Sequence, residues 1–135
     1  MKKILVIEDD SRIRKIIDFH LQKSGYNVRS AENGKIGLEL FEADKPDMIL
    51  LDIMMPVMNG NEFCRELLSK YPDNGTPIII LSAKNDVDQI FESYSNGVIE
   101  YLNKPFKVES LLEVMKNFFT SKSNDAEQKN TYRPL

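Results

Sequence analysis

The sequence predicts an α/β domain, a parallel sheet wound with helices on both faces. Three observations carry the prediction. Apolar runs at residues 4–7, 48–51 and 78–81 are continuous rather than alternating, as strands buried on both faces are. Between them lie stretches whose apolar residues recur at three and four positions. Turn signals punctuate the alternation, at Lys45-Pro46-Asp47, Asn59-Gly60, Tyr71-Pro72-Asp73-Asn74-Gly75 and Asn96-Gly97. Strand–helix alternation of this kind favours right-handed crossovers onto one sheet, and 135 residues suit a single core.

Each element follows in order. After the first strand at 4–7, a helix starts near Ser11 with Ile13, Ile16, Ile17 and Leu21 on one face, and Gly25 gives it a stop signal. The second strand, around Val28 in "NVRSA", is short and polar and rests on the alternation. Helices are expected at 35–43, 62–69 and 87–96, a third strand at 48–51, a fourth at 78–81 and a fifth at Tyr101-Leu102. Val108, Leu111, Leu112, Met115, Phe118 and Phe119 form the stripe of a last helix. The domain is thus expected over 1–120, with 121–135 a flexible polar tail lacking apolar anchors.

Composition excludes several function classes. Lys+Arg 18 against Asp+Glu 21 leaves a net charge of -3, so no basic surplus points to direct nucleic-acid binding. No run approaches the ~18 apolar residues of a membrane span, and the first apolar run breaks into acids too early for a signal-peptide core; no membrane partner and a cytoplasmic location are expected. One cysteine, Cys64, forbids an internal disulfide and reads as apolar filler on a helix. The single histidine, His20, reads as a partly buried helix residue.

The strand ends carry the chemistry. The first strand runs into Glu8-Asp9-Asp10, the third into Asp52, the fourth into Ser82, and Lys104-Pro105 follows the fifth. Carboxyl ends of parallel strands share one edge, where open α/β sheets bind ligands. Singly, Asp10 and Ser11 read as helix-capping residues, Ser82 as a strand-end hydroxyl and Lys104 as a solvated charge. Asp52 closes a four-residue apolar run, where a carboxylate is costly to bury unpaired. Crowded carboxylates need more counter-charge than Lys104 supplies. A hard cation, Mg2+ with Mn2+ as the alternative, suits them; Met54, Met55 and Met58 read as gap-fillers rather than soft-metal ligands.

Taken together, Glu8-Asp9 after "KILVI", Asp52 between "MILL" and "IMMPVMNG", Ser82-Ala83 after "IIIL", and "EYLNKPF" resemble a response-regulator receiver domain over about residues 2–120. The resemblance implies a flavodoxin-like doubly wound sheet of five parallel strands, order 2-1-3-4-5. It implies a phosphoacceptor of two-component signalling, phosphorylated by a sensor histidine kinase or phosphotransfer protein. By the same resemblance Asp52 is the phosphoacceptor, Asp9 a direct Mg2+ ligand, Glu8 an acid acting through water, and Met54 a ligand through its carbonyl. Ser82 and Lys104 are the catalytic hydroxyl and ammonium, Tyr101 with Ser82 the switch pair, and Lys104-Pro105 a cis bond. Glu8 departs mildly from the Asp-Asp pair also common there. Output, including homodimerisation, is expected on a face containing 87–96 and 107–119. The chain would be substrate and catalyst of its own phosphorylation, without turnover on an external substrate.

Rivals fare worse. A haloacid-dehalogenase-type phosphatase needs a second acid two residues after its nucleophile, where Met54 stands, and a cap domain for which the chain lacks room. No glycine-rich loop follows the first strand, against nucleotide folds. A receiver fold used only for interaction would not need Glu8, Asp9, Asp52, Ser82 and Lys104 together.

Overall fold

The computed structural model describes residues 1–83 and 98–127. Residues 1–105 form one compact unit and residues 106–135 a second. The first unit holds β1 (Lys3–Ile7), α1 (Ser11–Lys23), β2 (Asn27–Ala31), α2 (Gly34–Ala43), β3 (Met48–Asp52), α3 (Gly60–Lys70), β4 (Ile78–Ser82) and β5 (Val98–Asn103). The strands form one sheet of order β2-β1-β3-β4-β5, every pair parallel. This is the doubly wound order the resemblance implies.

Period-two alternation divides the strand residues between two faces. Leu5, Ile7, Ile49, Leu51, Ile78 and Ile80 join Leu38 and Phe41 of α2 and Phe63, Cys64 and Leu67 of α3 in one buried cluster. Residues of the other parity, among them Val6, Leu50 and Leu81, are buried outside that cluster, as are Ile17 and Leu21 of α1. The central strand β3 is buried throughout, the physical reason for its unbroken apolar run. Cys64 is apolar filler as expected, and burial pushes its thiol up to about 12.

Helix ends refine the sequence reading. Asp10 is the N-cap of α1, its carboxylate accepting from the N–H groups of Arg12 and Ile13, so Ser11 is the first helical residue rather than a cap. The Asp10 carboxylate, one place earlier, reaches the free amides of the first turn. Gly25, at φ 93, follows the C-cap Ser24, the left-handed position a glycine stop supplies. Asn59 and Glu62 close α3 with a reciprocal capping box.

In the second unit, α4 runs from Val108 to Glu127, with Leu111 and Met115 buried. The helix continues past Thr120 into the stretch read as a tail, where no glycine or proline stops it before Glu127. The helix expected at 87–96, the Asn96-Gly97 turn and residues 128–135 lie outside the described residues.

Candidate functional site

Strand register assembles the site. β1 and β3 pair with Ile7 opposite Leu51, so the next residues, Glu8 and Asp52, emerge side by side. β4 ends one residue further, at Ser82 opposite Asn103 of β5, and Lys104 follows. Carboxylate oxygens of Glu8, Asp9 and Asp52 all lie within 4.8 Å of one another. Glu8 and Asp52 are buried and Asp9 is exposed, which leaves the cluster open toward Asp9.

Lys104 is the counter-charge. Its Nζ lies 2.7 Å from Glu8 Oε1 and 3.5 Å from Asp52 Oδ1. Burial works against the ammonium, but the hydrogen bond to Glu8 and the charges of Asp52 and Glu8 outweigh it and raise its pKa. One ammonium does not satisfy three acids. Burial first, then the hydrogen bond and charge of Glu8, push Asp52 up to about 8 against the pull of Lys104. The cluster therefore favours any added cation or proton.

The main chain holds these groups in place. Glu8 N–H donates to Ala31 O at 3.0 Å, Met54 N–H to Asp52 Oδ1 at 3.3 Å, and Lys104 N–H to Ser82 O at 2.6 Å. The Lys104-Pro105 bond is cis, as the resemblance implies. Ser82 Oγ is fully buried and has no hydrogen-bond partner among the described residues, an orphaned hydroxyl at the sheet edge that carries the acidic cluster. A family model for the response regulator receiver domain matches residues 4–116.

The chain belongs to that family. Among curated relatives, the response regulator MprA of Mycolicibacterium vanbaalenii is 39% identical over 114 residues, covering 84% of this chain and 48% of the relative. MprA of Mycobacterium avium is 37% identical over 127 residues, 93% of this chain and 55% of that one. The chain thus spans about half the length of the curated relatives it matches. Among solved structures, the Vibrio cholerae chemotaxis protein CheY4 superposes with TM-score 0.80 at 32% identity, covering 87% of this chain and 98% of that one. A receiver domain protein from Clostridium thermocellum gives 0.80 at 31%, covering 91% and 98%.

Of the receiver residues anticipated from sequence, Glu8, Asp9, Asp52 and Lys104 come together. Ser82 and the Met54 main chain flank them. Met54's side chain is exposed, and so is Tyr101, opposite Ile80 on β5. Three contacts had no residue-type signal. A Cβ on Gly60 would lie 2.7 Å from Ile53 Cα and 2.8 Å from Asp52 O, so α3 starts against the backbone of Asp52 itself and the glycine does more than turn the chain. Val57, at φ 70, is the centre of a γ-turn closed by Met58 N–H on Pro56 O at 2.8 Å. Arg14 Nη1 donates to the carbonyls of Glu8, at 2.7 Å, and Asp9, at 3.4 Å.

Proposed function

We propose that the receiver accepts a phosphoryl group on Asp52 from the phosphohistidine of a sensor kinase or phosphotransfer protein and then changes the face it offers to partners. The observation that carries this reading is the crowding of three carboxylates about one ammonium, at the sheet edge where doubly wound folds place ligands. An Asp52 oxygen attacks phosphorus as the donor's P–N bond breaks, its electrons returning to the donor imidazole; water later hydrolyses the acyl phosphate. Positioning and charge neutralisation supply most of the catalysis in such a transfer.

The donor set fits a hard divalent cation. It consists of carboxylate oxygens, and burial first, then the hydrogen bond and charge of Glu8, raise Asp52 even beside Lys104. Asp9, Asp52, the Met54 carbonyl and, through water, Glu8 would hold Mg2+ or Mn2+. Such an ion supplies positive charge to the transferring group. Lys104 adds a point charge that can turn from Glu8 to a phosphoryl oxygen, and the Ser82 hydroxyl has a free donor for another.

Movement of Ser82 toward Asp52 would vacate space that Tyr101, now exposed, can fill by turning inward. The output face would be reshaped by as much free energy as the phosphoryl group gains from the new contacts. Partner binding or homodimerisation is its proposed readout. Intact mass after incubation with acetyl phosphate and Mg2+ tests the core of the reading. The wild type should gain one phosphoryl group and Asp52→Asn none; an unmodified wild type, or equal modification of both, overturns it.

A further inference from the structure

Loop 8–10 has an electrostatic difficulty. It presents consecutive acids beside Asp52, and their repulsion drives the loop away from β3. Several bonds oppose this: Glu8 N–H on Ala31 O, Asp10 N–H on Glu8 Oε2 at 3.2 Å, and the Asp10 carboxylate capping α1. They leave the carbonyls of Glu8 and Asp9, where the chain has left the sheet ladder and has not yet entered the helix. Arg14, on the first turn of α1, meets both from a single nitrogen.

We propose that Arg14 is a positioning residue of the cation site, holding the acids of the β1–α1 loop in place through their main-chain carbonyls; this rests on the proposed function. Its helix is braced. Asp18, one turn on, accepts a hydrogen bond from Ser30 Oγ of β2 at 2.9 Å, tying α1 to the sheet edge. A guanidinium carries donors enough to grip two carbonyls and a fixed plane that orients them. Among the described ion pairs, none joins Arg14 to Glu8, Asp9 or Asp52. Arg14 therefore grips the loop's backbone rather than its carboxylates.

That distinction separates positioning from plain charge. A positive charge this close to a cation site weakens cation binding, so removing it strengthens binding if charge is all Arg14 contributes. If Arg14 positions the loop, its removal weakens binding, as loss of outer-shell partners does at metal sites, by about tenfold at the low end.

The test is a calorimetric Mg2+ titration of wild type, Arg14→Lys and Arg14→Met, with amide hydrogen exchange at Glu8, Asp9 and Asp10 and thermal unfolding in EDTA. Arg14→Met should bind Mg2+ about tenfold more weakly and exchange faster at those amides, with Arg14→Lys between it and wild type. Unchanged or tighter binding by Arg14→Met overturns the positioning role alone, even if its stability in EDTA falls. Should Arg14→Met fail to fold, Arg14→Lys decides: it keeps the charge, but its nitrogen stands one bond nearer the helix and falls short of the two carbonyls, and wild-type affinity there overturns the proposal. A wild type that binds no Mg2+ overturns the cation reading and this proposal with it.

Discussion

Replacing Asp52 by Asn should stabilise the metal-free protein, although it removes the proposed phosphoacceptor. Asp52 is 3% exposed and its carboxyl is raised from 3.8 to about 8, by burial first and then by Glu8. A carboxyl raised on folding exacts nothing below its unfolded pKa; its penalty grows as pH rises from 3.8 and is complete above about 8. At pH 7 the penalty spans about three pH units, or ~4 kcal/mol at about 1.36 kcal/mol per unit. That is an upper bound, because the Asn amide stays buried and the contact to Lys104 is weakened. The Met54 N–H keeps its acceptor in the Asn side-chain oxygen. About 2 kcal/mol of net gain is expected, a rise of ~5–10 °C in melting midpoint for a domain of this size. Urea unfolding in EDTA at several pH values between 4 and 8 measures it, and the gap between variant and wild type should be widest at pH 8 and close toward pH 4. A variant no more stable than wild type at pH 8, or a gap that widens in acid, would refute the crowding argument.

Three further outcomes follow from the same geometry. Adding Mg2+ should stabilise wild type by about 1 kcal/mol at a few times its dissociation constant and should leave the midpoints of Asp9→Asn and Asp52→Asn unmoved; equal shifts in all three would remove the cation from the site. Val57→Gly should raise stability by ~1 kcal/mol, since a β-branched residue at φ 70 carries backbone strain that glycine lacks, and a drop in the urea midpoint would contradict it. Asp18 is raised by desolvation, against the Ser30 hydrogen bond and the Arg14 charge. Wild-type stability relative to Asp18→Asn should therefore fall as pH climbs above 3.8; parallel stability curves across that range would count against it.

The legible parts of the fold are those where burial forces residue type. β1, β3 and β4 are apolar without interruption because both faces are covered, and an acid closing such a run stands out because its burial is costly. Asp52 was visible for that reason, and Glu8, Asp9 and Lys104 only through their joint occurrence with it at the strand ends. The edges were fainter. In β2 only Ala31 is fully buried, and β5 begins at Val98, earlier than the Tyr101-Leu102 run, because the exposed Glu100 splits its apolar residues into two short pairs. Arg14 and Gly60 act on backbone atoms, whose positions depend on tertiary packing rather than on any pattern along the chain.

Gly60 has a consequence for how variants of this protein are read. Its hydrogen lies where any Cβ would press on Ile53 and on the carbonyl of Asp52, so a substitution there alters the fold and the proposed acceptor through the same atoms. A selection that scores only signalling would class position 60 with the chemical residues, and one that scores only abundance would class it with the core. The two scores should fall together at Gly60 and part company at Asp52, where losing the proposed phosphoacceptor should harm signalling while favouring the folded chain.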